Sequence, residues 1–271
     1  MHESINGVVV RVRDTGDHDR YLSVLTAERG RITILSKGGK SLHSSQMAVS
    51  QLYTYANFEY YRRGSYNILK GGSVLNHFFY LSTNLDFINL ASYFCEVMCE
   101  VTDEGEDATG MLRLMLNSLY ALSKNLYPLE IIKGAFEMRV AADAGYAPEL
   151  DVCSSCGRAS SEHWYLDVMN GALLCADCLT RRGRAVRHVG TYDDIREAEI
   201  ICPISAATRE ALRYTVRAPL ERLFSFSLTD EEDLHAFAKA TETYLLSHLG
   251  RGFDSLEFYN MMRSAKAAKG K

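Results

Sequence analysis

The chain has 271 residues, enough for two ordinary domains, and its 47% apolar and 24% charged content is that of a globular protein. No run approaches eighteen uncharged apolar residues, which argues against a transmembrane helix, and the start Met1-His2-Glu3-Ser4-Ile5-Asn6 lacks the basic and apolar regions of a signal peptide. The expected compartment is a reducing cytoplasm, where disulfides are rare. The net charge of −4 is unevenly spread: residues 1–80 hold ten cations against six acids, whereas the rest holds twenty against twenty-eight. A basic front suits a polyanionic partner, although a balance of +4 also falls within ordinary scatter.

The first eighty residues read as strands. Residues 5–13 are β-branched and apolar, and Asp14-Thr15-Gly16-Asp17 is turn chemistry. Residues 20–27 and 31–36 follow, joined at Glu28-Arg29-Gly30, where glycine supplies a positive φ. A polar loop then runs from Lys37 through Gly38, Gly39 and Lys40 to Ser45. In residues 52–61, Leu52, Thr54, Ala56, Phe58 and Tyr60 alternate with Tyr53, Tyr55, Asn57, Glu59 and Tyr61, so the two sets take opposite faces. Arg62-Arg63-Gly64-Ser65 turns the chain into residues 66–74. Five strands with short turns predict a small barrel of the OB type over residues 1–80.

Beyond Asn76 the period becomes helical. The spacing predicts helices over residues 85–101, with Asn84 as N-cap, 111–122, 129–144, 208–223 and 231–249. Asp103-Glu104-Gly105-Glu106-Asp107 reads as a solvated break, and residues 264–271 as a frayed end. The fold class is therefore α+β and multidomain: a barrel over 1–80, then a mainly helical domain over 81–271 with an insertion at about 149–187.

The insertion carries the strongest chemical signal. Cys153-Ser154-Ser155-Cys156 and Cys175-Ala176-Asp177-Cys178 are two Cys-x-x-Cys pairs separated by eighteen residues. A two-residue spacer lets both thiolates of a pair face one tetrahedral ion, so Cys153, Cys156, Cys175 and Cys178 are expected to hold one structural zinc per chain. Four thiolates leave no open position for catalysis. His163–Asp167 and Ala172–Leu174 between them suit a short hairpin turning at Asn170-Gly171. Two disulfides or redox dithiols are the rival explanation, weakened by the reducing compartment and the lack of a redox-type βαβ context. Cys95, Cys99 and Cys202 sit in apolar patterns and read as core residues.

Other motifs fail. Gly39-Lys40-Ser41 ends like a phosphate-binding loop, but position 34 is Ile34 where that loop needs glycine. Val152 and Leu174 precede the cysteine pairs where a zinc deaminase requires proline. No nucleophile elbow or dinucleotide fingerprint is present, so no enzyme is expected.

The barrel offers Arg11, Arg20, Arg31, Lys37, Lys40, Arg62, Arg63 and Lys70, with Tyr53, Tyr55, Tyr60, Tyr61 and Tyr66 interleaved. Cations along a backbone and rings under bases are the equipment of single-strand-binding OB barrels. Core packing is the competing role for each tyrosine. A second basic cluster, Arg181-Arg182-Gly183-Arg184 with Arg187, follows the last cysteine and either extends the nucleic-acid path or neutralises the acidic domain.

These residues resemble a known family. Gly7-Val8-Val9-Val10-Arg11, Asp19-Arg20, Leu25-Thr26, Gly30 and Ser36-Lys37-Gly38-Gly39 look like the opening of RecO recombination mediators. Phe136-Glu137-Met138-Arg139, then Gly145-Tyr146-Ala147-Pro148 and the two cysteine pairs, are similar to that family's centre. The resemblance implies an OB domain and a helical, often zinc-bearing domain. It implies binding of single- and double-stranded DNA, annealing of complementary strands, action on single-strand-binding protein, and work with RecR to load RecA. It places the protein at the nucleoid. The family's loop after the third strand is commonly rich in Arg and Lys; here Lys37 and Lys40 stand nearly alone, which shifts weight toward protein contacts. On this reading Arg139 receives the acidic tail of single-strand-binding protein, or else forms an internal salt bridge. The alternative function is a protein-interaction scaffold whose barrel contacts a repair partner instead of DNA.

Overall fold

The computed structural model describes residues 2–41, 44–186 and 200–269. The chain divides into two compact units, one of Met1–Leu126 with Gly252–Lys271 and one of Tyr127–Arg251. This division differs from the change of period near residue 80, because helices on both sides of the second unit in sequence pack within the first.

The first unit begins with five strands: β1 (His2–Thr15), β2 (Asp19–Thr26), β3 (Arg31–Ser36), β4 (Thr54–Arg63) and β5 (Tyr66–His77). They close into a barrel in the order β1-β2-β3-β5-β4, with β3 and β5 parallel and the other pairs antiparallel. Stepping sideways from His2 through Tyr61, Ile68, Leu35 and Tyr21 returns to β1 at Arg13, eleven residues along, one of them the bulged Val10. That stagger lets five strongly tilted strands close a sheet on itself. The alternation predicted in β4 holds: Thr54, Ala56, Phe58 and Tyr60 are buried, and the last three join Val9, Leu22, Val24, Ile32, Ile34 and Leu69 in the barrel core.

Gly30, with φ of 59°, makes the β2–β3 turn, and a Cβ there would lie 1.8 Å from the Asp103 carbonyl oxygen. Only glycine fits this approach of the acidic loop to the barrel. That loop joins α1 (Leu85–Val101) to α2 (Thr109–Lys124), and Asn84 caps α1 by accepting from the Asp86 N–H at 2.8 Å. The chain's last helix, α7 (Asp254–Lys269), packs on α1 through buried Phe253, Leu256 and Tyr259. The expectation of a frayed end gives way here to a helix reaching Lys269, signalled by those apolar groups three residues apart.

The second unit has α3 (Leu129–Ala141), a four-stranded sheet in the order β6-β8-β7-β9, and α4 (Ala176–Val186), α5 (Ala206–Arg217) and α6 (Glu231–Leu249). The strands are β6 (Glu149–Cys153), β7 (Trp164–Asp167), β8 (Ala172–Cys175) and β9 (Ile201–Ile204). Helix α5 stops at Arg217, short of the predicted residue 223, because Pro219 forces Ala218 into extended backbone at φ −62° and ψ 143°. Helix α3 is buried on nearly every side and packs on α6.

Candidate metal centre and nucleic-acid interface

Each cysteine of the four sits where a strand ends or a turn begins. Cys153 closes β6, Cys175 closes β8, Cys178 lies in the first turn of α4, and Cys156 lies in the turn after β6. Gly157, at φ 73°, closes that turn by donating its N–H to the Cys153 carbonyl at 2.8 Å, and the Ser154 N–H donates to Leu173 of β8 at 2.8 Å. Local backbone therefore aims both pairs at one point. The four sulfurs lie within 4.8 Å of one another, and Cys156 and Cys175 are 3.8 Å apart. A tetrahedron with metal–sulfur bonds of about 2.3 Å has edges of about 3.8 Å, so the donor set fits one thiolate-bound ion. All seven cysteines are free thiols.

Backbone N–H groups favour ionised sulfur in the first pair. Burial opposes ionisation of Cys153, but N–H groups of Cys175, Cys156 and Ser155 outweigh it and bring the thiol down to about 6. The Arg158 N–H lowers Cys156. The Ser155 hydroxyl pulls Cys178 the same way, but burial and three neighbouring thiols push it up to about 11. Cys95, Cys99 and Cys202 have thiols pushed up chiefly by burial, as core residues do.

Of the second basic cluster, Arg181 donates to Cys178 Sγ at 3.4 Å, and Arg182 pairs with buried Asp167 at 2.8 Å. The Arg184 side chain and Arg187 fall outside the described residues.

The barrel separates the eight predicted cations into two groups. Arg20 and Lys40 both reach Asp14 at 3.3 Å. Arg31 donates to the Thr102 carbonyl at 3.1 Å, with Asp103 3.9 Å away, and so holds the acidic loop. Lys37, Arg62, Arg63, Lys70 and Arg11 are exposed. Lys37 follows the end of β3, Lys70 is the unpaired bulge residue of β5 two positions past Ile68, and Arg62 and Arg63 of β4 lie opposite Asn67 and Tyr66. These four exposed cations lie on or just past three neighbouring strands, β3, β5 and β4. Arg13 covers the Tyr21 ring at 5.2 Å, and Tyr66 is 55% exposed. Two predicted stacking rings are unsuited to that role. Tyr60 is 2% exposed and donates to Glu3 at 2.9 Å, while the Tyr53 hydroxyl is bonded to Ser92 at 2.7 Å.

Arg139 pairs with Asp143 at 2.9 Å and donates to the Ala218 carbonyl at 2.7 Å. Sequence reasoning passed over two buried cations. Lys133 bridges Glu137 at 2.8 Å and Glu242 at 2.7 Å between α3 and α6, and Glu137 accepts from the Thr241 hydroxyl at 2.8 Å. Arg209 lies buried in α5. Helical spacing puts Lys133 and Glu137 on one face, but nothing local says that face is interior.

The fold class is thus a closed five-stranded barrel of the OB type followed by a helical unit whose four clustered cysteines could hold a metal ion. A family model described as "Recombination protein O N terminal" matches residues 1–78, and one described as "Recombination protein O C terminal" matches residues 83–191. The chain is 27% identical over 262 residues to a protein of Acetivibrio thermocellus named DNA repair protein RecO, covering 96% of this chain and 97% of that one. Proteins of the same name from Alkaliphilus metalliredigens and Clostridium perfringens are 26% and 23% identical, covering 93% and 95% of this chain and 96% and 97% of theirs. The chain belongs to the RecO family of DNA repair proteins.

Proposed function

We propose that the protein is a non-catalytic recombination mediator. It binds single- and double-stranded DNA, anneals complementary strands and, with RecR, helps load RecA onto DNA covered by single-strand-binding protein. The observation that supports this reading is that Lys37, Lys70, Arg62 and Arg63 are exposed on or just past neighbouring strands of the barrel, as is Tyr66. Cations at such a surface displace counterions along phosphates, and two strands held there repel each other less. Sequence-independent binding follows, because phosphates carry no base information. The metal is zinc, held by Cys153, Cys156, Cys175 and Cys178; with every position filled by thiolate it braces the ribbon. Its work is done at the nucleoid. Among the described residues, no helix is long and apolar enough to cross a membrane.

A second reading, a scaffold whose barrel contacts RecR instead of DNA, draws on the internal pairing of Arg20, Arg31 and Lys40. Salt-titrated binding of the full chain to a labelled oligonucleotide separates the two. For a DNA-binding barrel, log affinity falls by about 0.7 per phosphate contact for each log unit of salt on single strands. A flat response, or no binding at low salt, favours the scaffold.

A further inference from the structure

Arg209 projects from α5 with 8% of its surface exposed, although arginine is rarely buried without partners. Its partners are specific. Nε donates to the Leu150 carbonyl at 2.8 Å, Nη2 to the Asp151 carbonyl, and Nη1 to the Ala159 carbonyl at 3.0 Å. Leu150 and Asp151 precede Cys153, and Ala159 follows Cys156. One guanidinium therefore holds both ends of the loop that presents the first cysteine pair.

The same group reaches the second pair by another route. Its Cζ lies 4.5 Å from the centre of the Trp164 ring, and Trp164 stands directly opposite Cys175 in the β7–β8 ladder. Trp164 is 1% exposed, so this cation–π contact is shielded from water, where it is strongest. We propose that Arg209 is the positioning residue of the metal site: it sets the separation of the two cysteine pairs before metal arrives and slows the loss of metal afterwards. Lysine cannot substitute, because an ammonium has no planar fork to serve three carbonyls in different directions while also covering an indole ring. Arg213 and Arg217 on the same helix make a useful contrast. They pair with the Asp151 carboxylate at 3.1 and 2.6 Å, on the surface.

The inference rests on the metal reading of the four cysteines, and the experiment tests the two separately. Zinc content of the purified full chain is measured first, then its release to excess chromogenic chelator. About one zinc per chain is expected, given four thiolate ligands; a wild-type chain that binds none overturns the metal reading and this inference with it. With zinc present, Arg209→Lys is expected to lose it about ten- to a hundredfold faster, the usual range for a lost outer-shell partner. Arg213→Ala is expected to stay within about twofold of wild type, as suits an exposed pair. Emission from Trp164, the only tryptophan, reports the ribbon directly and is expected to shift red in Arg209→Lys. Leu212→Ala, which empties a fully buried position on α5, controls for general destabilisation and is expected to lower the melting temperature while keeping zinc release near wild type. Equal release from Arg209→Lys and wild type overturns the positioning role. Release from Leu212→Ala as fast as from Arg209→Lys does the same.

Discussion

The barrel and the four-cysteine ribbon are both small β-structures, but they are held together differently. The barrel has strands of 6 to 14 residues closed into a ring around a continuous apolar core. The ribbon sheet has strands of 4 or 5 residues. Strands that short bury too little apolar surface to offset their ordering entropy, so a point attachment must supply the rest. In the ribbon those attachments are the thiolate cluster and the Arg209 clamp. In the barrel, stability is spread over many side chains. Loss of one residue should therefore act locally and severely in the ribbon, and gradually in the barrel.

The largest expected effect is therefore metal removal. Chelation, or Cys175→Ser, should withdraw on the order of 10 kcal/mol of metal-linked folding energy from the ribbon. Hydrogen exchange should then rise across β6, β7 and β8 while Val24 and Ile34 in the barrel stay protected. Equal loss of protection in both regions would erase the distinction. Next come substitutions in each core. Phe58→Ala should cost the barrel about 3–5 kcal/mol through the cavity it leaves. Lys133→Met should cost the second unit a similar ~3–5 kcal/mol, because Glu137, with no exposed surface, would lose its Lys133 countercharge. Adding Glu137→Leu should recover most of that loss, since Glu242 retains partial exposure; denaturant midpoints of the single and double variants check this.

What was legible in the sequence follows the same division. The five strands, the faces of β4, the Asn84 cap and the metal donors are local signals, set by alternation, turn chemistry and spacing. The closure of β5 between β3 and β4 is a property of pairs distant in sequence. So are the partners of Arg20, Arg31 and Lys40. A list of basic residues cannot say which face solvent, and Asp14 neutralises two of the eight at once. Tyr60 reads as a possible stacking ring until the register puts it inside. Arg209 is invisible for the same reason: its three acceptors lie 50 to 59 positions away along the chain.

A smaller effect tests which cations face DNA. Lys37→Glu with Lys70→Glu should weaken binding to single strands and reduce the salt slope by about 1.4, two contacts at about 0.7 each. Arg20→Gln should leave the slope nearly unchanged, because Asp14 already occupies that guanidinium. If Arg20→Gln lowers the slope as much as the lysine pair does, the internal partners do not decide which cations bind.

The smallest effect is acid sensitivity, and it should differ between the two regions. Glu3 in β1 is held below its usual value of 4.5, first by the hydrogen bond from Tyr60 and then by Arg29. Asp151 in β6 is held below 3.8, chiefly by Arg217. In both cases the unfolded chain binds the proton more readily than the folded one. The stability each carboxylate lends is therefore complete above its usual value and is lost as pH falls past it. In the barrel this acid limb stands alone, so Glu3→Gln should flatten the decline in amide protection of β1 and β4 below about pH 4.5, the usual carboxylate range. In the ribbon, protons also compete with metal for the thiolates, and that loss comes first because metal affinity falls as thiolates protonate. Asp151→Asn should consequently leave the acid midpoint reported by Trp164 almost where it was. A midpoint that moves with Asp151 and ignores added zinc would mean that surface ion pairs, and not the thiolate cluster, hold the ribbon together.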